Sequence, residues 1–155
     1  MLKQELVRAL AEAGATYEPL HHGHTERASD EARELGVSPS EVAKTLVLVA
    51  PDGHVRVVVP ASERLDLGKL RALLGVPGKR LHLATEEELA RDYSEFELGA
   101  VPPFGGRDEP VVVDLRIAGR ETVVLEAGTH EESIRIRTSD LLKLTHARVA
   151  DVCED

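Results

Sequence analysis

The sequence predicts an α+β fold in which a mixed, curved, barrel-like β-sheet is surrounded by helices. The 155 residues suit one compact domain, residues 1–155, and no internal repeat or long linker divides them. The sequence has more apolar segments of strand length than a doubly wound fold would connect through helices. Short turns typical of hairpins join several of these segments. Segments with helical spacing of apolar residues lie between these strands.

The N-terminal part of the chain predicts two helices and a strand. Apolar residues recur at helical spacing over residues 2–13, and Gly14 follows as a stop. Residues 17–22 predict a short strand. Ser29 is the expected N-cap of a second helix, which Gly36 ends.

A hairpin follows. Ser38-Pro39-Ser40-Glu41 resembles another helix start, with proline suited to the first turn. The apolar run 44–50 predicts a strand, Pro51-Asp52-Gly53 a turn and residues 54–60 a returning strand. Together these segments predict an antiparallel hairpin.

The second half of the chain predicts further helices and strands. Asp66 opens a helix, and Thr85 followed by three glutamates resembles the capping box of a helix that runs towards Tyr93. Residues 111–115 and 121–125 alternate as strands with a short Ala118-Gly119 turn between them. The last predicted elements are a strand at 133–137 and a short helix over 139–142.

The net charge of −9 argues against a general nucleic-acid-binding surface, because neutralising phosphates requires clustered Lys and Arg. One local cluster is basic, and an acidic stretch follows it. We interpret both as solvated surface, and contact of the basic cluster with the end of a nucleic acid is the alternative. The basic cluster comprises Arg64, Lys69, Arg71, Lys79 and Arg80.

The single cysteine, Cys153, excludes an intramolecular disulfide and a cysteine-based zinc site. No apolar run is long enough to cross a bilayer, and Glu5 and Arg8 interrupt any signal-peptide pattern. We therefore expect a cytoplasmic protein with no membrane partner.

The sequence lacks the motifs that mark several classes of catalytic and binding site. No Gly-x-Ser-x-Gly elbow supports a nucleophilic triad, and no phosphate- or dinucleotide-binding glycine motif occurs. The histidines His21, His22 and His24 form a cluster in which the last two could share one metal ion. A third ligand is not evident nearby, so a surface or pocket-lining role is favoured over metal binding.

Lys44 is the most informative residue, because it places a full charge at the start of an apolar strand. Burying an ammonium is costly unless an anion meets it. The segment Gly99–Gly106, which contains two prolines, is a stiff loop able to present backbone amides. Together they suggest a pocket for an anionic or carbonyl-bearing ligand. The alternatives are a snorkelling lysine, a plain surface loop and, for His130, a structural histidine.

Three segments carry a resemblance to a known family. They are Leu35–Val47, which contains Lys44, then Gly99-Ala-Val-Pro-Pro103, and then Gly128-Thr-His130 with the strand and Asp140-Leu-Leu142 behind it. In this order they resemble the YbaK/ProX-type aminoacyl-tRNA editing domains, which are related to the editing insertion of bacterial prolyl-tRNA synthetases. The resemblance covers the chain from about residue 25 to the C-terminus.

The resemblance implies hydrolysis, in trans, of the ester of a mischarged aminoacyl-tRNA such as Cys-tRNA(Pro) or Ala-tRNA(Pro), with no cofactor and no metal ion. Lys44 and Gly99 would be the catalytic residues, His130 would border the amino-acid pocket or touch the α-ammonium, and water or a substrate group would attack. The implied partners are the acceptor end of the tRNA and prolyl-tRNA synthetase. The implied substrate-binding residues are Thr45, Ala100, Val101, Pro102, Pro103, Phe104, Gly105, Gly128, His130 and Ser133.

Two departures from the cysteinyl-tRNA-clearing branch affect specificity. Ser133 stands where that branch tends to carry Asp, and Arg27 where it tends to carry Tyr. A different class of function stays open beside the enzyme: a non-catalytic binding module of the same fold that recognises a nucleotide, an aminoacyl ester or a protein partner.

Overall fold

A mixed sheet of eight strands forms the centre of the described part of the molecule. The computed structural model describes residues 4–106 and 108–155. The strands are β1 (Tyr17–His21), β2 (Val42–Ala50), β3 (Gly53–Pro60), β4 (His82–Leu83), β5 (Val111–Asp114), β6 (Thr122–Thr129), β7 (Glu132–Arg137) and β8 (Arg148–Ala150). Their order is β1-β7-β6-β2-β3-β5-β8, and β4 pairs with β2 beside this path. The predicted α+β fold with a mixed sheet is confirmed.

Six α-helices and two short 3₁₀ turns surround the sheet in the described residues. The helices are α1 (Gln4–Glu12), α2 (Ala28–Leu35), α3 (Leu67–Leu74), α4 (Glu86–Asp92), α5 (Leu115–Ala118) and α6 (Thr138–Thr145), and the 3₁₀ turns are Pro39–Glu41 and Gly78–Arg80. The first predicted helix is confirmed over residues 4–12, and residues 2 and 3 lie outside the described part. No helix within the described ranges is long and apolar enough to cross a membrane.

Strand β2 lies at the centre because both of its faces are covered. On one face Val42 packs against Ala32 of α2, and further along Leu48 packs with Leu70 of α3. On the other face Val47 belongs to the largest cluster, which includes the buried face of α1. Alternate residues of a strand point to opposite faces, so β2 carries two apolar sets.

Most of the predicted caps and turns are confirmed. The hairpin β2–β3 pairs antiparallel from Ala43 with Pro60 to Ala50 with Gly53. Asp66 caps α3, and Thr85 and Glu88 form the predicted capping box of α4. Gly36 ends α2 in the left-handed conformation, with φ of 70°.

Two predicted helix starts differ from the structure. Ser29 lies inside the first turn of α2, and the N-cap is Arg27, whose side chain makes no capping bond. Residues 38–41 do form a capping box, but the turn is a three-residue 3₁₀ segment. It stops there because the next residue, Val42, enters the core as part of β2.

The strands predicted at 111–115 and 121–125 are confirmed, but a helical turn stands where a short Ala118-Gly119 turn was predicted, and the two strands are not neighbours in the sheet. Asp114 caps a single helical turn, α5, that separates β5 from β6. Strand β5 pairs parallel with β3 and β8, whereas β6 pairs parallel with β2 and antiparallel with β7. Alternation identified both strands but carried no information about their partners, which the crossover connections decide.

Candidate active site

The sheet is interrupted beside the middle of β2. This strand pairs with β6 only at Val42 and Ala43, and with β4 only at Leu48 and Val49. Between these pairs, residues 44–46 have no strand neighbour on that side within the described chain.

The exposed peptide in this gap belongs to Thr45. The Val42 carbonyl accepts from Ala61 on the β3 side, whereas the Val47 carbonyl accepts from Ala84 on the β4 side. Backbone groups alternate between the two sides of a strand, so the N–H and C=O of Thr45 face the gap.

A cavity of about 330 Å³ opens at the gap. Its walls come from the entry to α2, from β2, from the residue after β3, from the loop between α4 and β5, and from β6. The lining residues are Glu26, Arg27, Ala28, Ser29, Ala43, Lys44, Thr45, Leu46, Ala61, Gly99, Val101 and Glu126.

Besides the exposed Arg27, the cavity is lined by a second cation, Lys44. Its side chain is half-buried, and it makes no ion pair or hydrogen bond with any residue that the structure describes. Burial lowers the pKa of its ammonium below the usual range, and nearby Arg64 acts in the same direction while Cys153 and Glu63 oppose it. A positive charge with no fixed partner is thus held at the wall of a cavity.

The loop that follows α4 supplies backbone donors. Gly99 has φ of 84°, a left-handed conformation that favours glycine. The Ala100 amide donates to the Glu97 carbonyl at 2.9 Å, whereas the amides of Gly99 and Val101 have no acceptor among the described residues. These two N–H groups therefore belong to loop residues that line the cavity and are available to bind an occupant.

Glu126 forms the opposite wall. The register that pairs Val42 with Val124 makes Lys44 and Glu126 the next residues on the same face of the sheet, where β2 and β6 part. The Glu126 side chain is 13% exposed. Burial raises its pKa to about 9, and the carboxylates of Glu31, Glu97 and Glu26 add to the effect, so the carboxyl is neutral at pH 7.

His130 joins this wall to the loop. Its Nε2 lies 2.6 Å from the Leu98 carbonyl, which can only accept, so Nε2 carries a proton. Its Nδ1 lies 3.4 Å from Glu126 Oε2, and its backbone amide donates to Glu97 at 3.2 Å. These contacts hold the Gly99 loop against the turn between β6 and β7.

A network of hydrogen-bonded polar side chains lies beneath α2. The Ser133 hydroxyl donates to Glu31, and His22 Nε2 lies 2.9 Å from the same hydroxyl. The other ring nitrogen, His22 Nδ1, donates to the Gly23 carbonyl at 2.7 Å. Burial raises the pKa of Glu31 to about 7, although the bond from Ser133 acts against it.

The structure brings together some of the predicted site residues and separates others. Lys44, Thr45, Gly99 and Val101 line the cavity. Ala100 is buried, and His130, Gly128 and Ser133 lie behind the cavity wall, where the Gly128 carbonyl accepts from the Glu97 amide at 2.8 Å.

Four residues of the predicted loop do not line the cavity: Pro102, Pro103, Phe104 and Gly105. The carbonyls of Pro102 and Gly105 each accept from the buried Arg56 guanidinium at 2.8 Å, and Phe104 enters the core. These residues fix the loop to the sheet.

Glu126 and the entry to α2 were missed by the sequence analysis. Glu126 could have been found from the sequence, because it is the single acid in the apolar strand Thr122–Thr129. Lys44 was found in the same way, as a charge within an apolar strand. Residues 26–29 carried none, since only the packing of α2 on the sheet brings them to the cavity.

The histidine cluster is divided between two environments. His22 is hydrogen-bonded to Ser133 in the polar network beneath α2. His24 Nε2 lies 3.1 Å from Glu26, and the His24 ring packs edge to face against the ring of His130. Within the described ranges, no group of three or more His, Cys, Asp or Glu side chains is arranged to hold a metal ion.

Comparisons with known proteins agree with this architecture. The family model of the aminoacyl-tRNA editing domain matches residues 22–144. The chain is 30% identical over 97 residues to the proline–tRNA ligase of Thermosipho melanesiensis, which is 63% of this chain and 17% of that enzyme. It is 25% identical over 149 residues to the proline–tRNA ligase of Thermosipho africanus, or 92% of this chain and 26% of that enzyme. The chain thus spans about a quarter or less of these curated relatives.

Two solved structures are similar over nearly the whole chain. The hypothetical protein APE2540 superposes with a TM-score of 0.87 at 28% identity and covers 97% of this chain and 100% of its own. A candidate trans-editing enzyme for prolyl-tRNA synthetase superposes with a TM-score of 0.84 at 32% identity, covering 100% of both chains. The chain belongs to the aminoacyl-tRNA editing domain family, of the YbaK/ProX type that is related to the editing domain of prolyl-tRNA synthetase.

Proposed function

We propose that this protein is a trans-acting aminoacyl-tRNA deacylase that hydrolyses the ester of a mischarged aminoacyl-tRNA. The observation that carries the proposal is the meeting of Lys44 with the Gly99 loop at one cavity. A half-buried ammonium with no fixed partner and two free amides are the groups that an activated ester linked to a phosphate backbone requires.

The proposed mechanism uses positioning and electrostatics. Lys44 anchors the terminal phosphate or polarises the ester carbonyl, and the amides of Gly99 and Val101 receive the negative charge that develops on the carbonyl oxygen. A pre-oriented donor of this kind contributes about 3 kcal/mol to transition-state stabilisation. Water then attacks the ester, without a protein nucleophile and without a metal ion.

The proposed substrates are small amino acids attached to tRNA(Pro), such as Cys-tRNA(Pro) or Ala-tRNA(Pro). The similarity to proline–tRNA ligases and to a candidate trans-editing enzyme for prolyl-tRNA synthetase supports this choice. A synthetase separates similar small side chains by only about 1–3 kcal/mol, so a second site that selects by size corrects its errors. Prolyl-tRNA synthetase is then the functional partner.

The direct test incubates the purified protein with a panel of mischarged tRNAs and follows release of the free amino acid. We expect release from at least one of the tRNA(Pro) substrates, with and without a chelator. Lys44→Ala should lower the rate at least about 100-fold while leaving the circular dichroism spectrum unchanged. Lys143→Ala, which removes an exposed lysine on α6, is the matched control and should keep the wild-type rate.

The binding-module alternative predicts a different result in the same panel. No member would lose its amino acid, yet a stable aminoacyl ester analogue would still bind, and Lys44→Ala would weaken that binding. Release of the amino acid at equal rates by wild type and Lys44→Ala would contradict the role given to Lys44.

A further inference from the structure

Besides the exposed Glu26 and Arg27, the cavity is lined by a half-buried cation, Lys44, and a largely buried carboxyl, Glu126. Lys44 and Glu126 project from the same face of the sheet on the two strands that part at the gap, and both line the cavity. No ion pair joins Lys44 to Glu126 in the described structure, so each group is available to an occupant of the cavity. An occupant with a negative group at one end and a positive group at the other would satisfy both.

We infer that Glu126 is the residue that recognises the free α-ammonium group of the aminoacyl substrate, a step that rests on the proposed deacylase function. Lys44 takes the phosphate or ester end, and Glu126 takes the amino end. The site then selects substrates whose α-amine is free and positively charged, and it rejects those in which the amine is acylated.

The hydrogen bonding of Glu126 supports this role. Its Oε2 is buried and makes no hydrogen bond of good geometry with a described residue, and Nδ1 of His130 is in the same condition although the two atoms lie 3.4 Å apart. Because His130 Nε2 is committed to the Leu98 carbonyl, the histidine presents its Nδ1 lone pair to Glu126 in its neutral form. The buried oxygen of Glu126 therefore has unused hydrogen-bonding capacity within the wall of the cavity.

The electrostatic surroundings favour a cation at this position. Three further carboxylates act on Glu126: Glu31 from α2, Glu26 from the entry to α2 and Glu97 from the loop. The basic groups around it are Lys44 and Arg27, which line the cavity, and His130. Burial and these carboxylates raise the pKa of Glu126 to about 9, so its carboxyl is neutral at pH 7 in the absence of a bound cation. When an ammonium enters, the carboxyl releases its proton to water, and the resulting anion accepts hydrogen bonds from the ammonium.

The contribution of His130 is to position this acid. Its ring lies against both Glu126 and the Leu98 carbonyl, and an added Cβ on Gly99 would lie 3.5 Å from its Cε1. The histidine therefore connects Glu126, which binds the amine, to the Gly99 loop, which binds the ester.

The test compares Ala-tRNA(Pro) with N-acetyl-Ala-tRNA(Pro) as substrates. Wild type should prefer the free amine by about 10- to 100-fold in kcat/KM, as expected for a hydrogen bond to a charged group. Glu126→Gln, which keeps the shape and a donor for His130, should bring the ratio close to one, mainly by raising KM for the free amine. Glu131→Gln removes an exposed charge from the same turn and should keep the wild-type ratio.

A binding experiment separates this inference from the proposed function. The stable 3′-amide analogue of alanyl-adenosine and its N-acetyl form are titrated into each variant by calorimetry. A preference for the free amine that disappears in Glu126→Gln supports the inference even where no hydrolysis occurs. Equal binding of the two analogues by wild type, or an unchanged preference in correctly folded Glu126→Gln, overturns it.

Discussion

Lys44 and Glu126 are the two least exposed of the four charged residues that line the cavity. Lys44 and Glu126 each interrupt an apolar strand, and each pays a desolvation cost that lowers the pKa of the lysine and raises that of the acid. The sequence alone identified Lys44 because it places a charge at the start of an apolar run next to a recognisable segment, although the strand itself begins two residues earlier, at Val42. Whether such a charge reaches solvent or faces a cavity depends on the neighbouring strand, and that neighbour is not a local property of the sequence.

Gly99 gives a sharp test at the residue scale. Gly99→Ala places a side chain at φ of 84°, which costs about 1–2 kcal/mol, while its Cβ meets His130 only at ordinary contact distance. We expect the loop to relieve this strain by turning the Gly99 amide away from the cavity. Deacylation should fall about 10- to 100-fold, measured as kcat/KM, with a loss of stability of about 1–2 kcal/mol in urea unfolding.

Gly75→Ala is the control for this variant. Gly75 has φ of 67° at the end of α3, and an added Cβ would meet nothing within 4 Å. The same backbone strain is therefore placed far from the cavity. We expect a similar loss of stability with unchanged kcat/KM, and equal activity of the two variants would contradict the role of the Gly99 amide.

At the scale of elements, the loop after α4 owes its shape to strand β3. Arg56 is 1% exposed and donates to the carbonyls of Pro102 and Gly105 and to Glu109. The proline-rich sequence predicted a stiff loop, but not that a buried arginine from a distant strand fixes it. Local signals such as the caps of α3 and α4 were predictable because their partners lie three residues away, whereas this anchor depends on the topology of the sheet.

Replacing Arg56 should loosen the loop and weaken the fold together. Arg56→Ala removes three hydrogen bonds, one of them within the buried ion pair with Glu109, so we expect a loss of about 3–5 kcal/mol in urea unfolding. Arg56→Lys keeps the charge but cannot reach all three acceptors, and it should cost less. In hydrogen exchange, the Ala100 amide should lose protection in Arg56→Lys before global unfolding. A loss below about 1 kcal/mol in Arg56→Ala would show that the loop is held by other contacts.

At the scale of the whole molecule, the parallel pairing of β2 with β6 creates the site. It sets Lys44 beside Glu126 and leaves the gap, yet no local pattern specifies a pairing between strands so far apart in the chain. Neither the residues alone nor the resemblance to a family predicted this pairing, and Glu126 was missed with it. The acidic net charge fits this design, because even Lys69 of the basic cluster is neutralised by Asp151 and Asp155. Recognition then depends on the cavity more than on a charged surface.

The polar layer under α2 should make the stability of the whole fold depend on pH. Glu31 is fully buried, and its pKa rises from 4.5 to about 7 on folding, chiefly through burial. A group whose pKa is raised in the folded state contributes stability that is complete below pH 4.5 and is lost as the pH rises through 7. Glu31→Gln is neutral at every pH, and its carbonyl oxygen can still accept from Ser133.

We therefore expect wild type to lose stability relative to Glu31→Gln by about 2 kcal/mol between pH 5 and pH 8, measured by urea unfolding at several pH values. Glu18→Gln, which changes an exposed acid on β1, should follow the wild-type profile. Parallel profiles for wild type and Glu31→Gln would mean that Glu31 is as readily ionised in the folded protein as in the unfolded chain. The layer that joins α2 to the sheet would then have to contain water or a counter-charge close enough to compensate for burial.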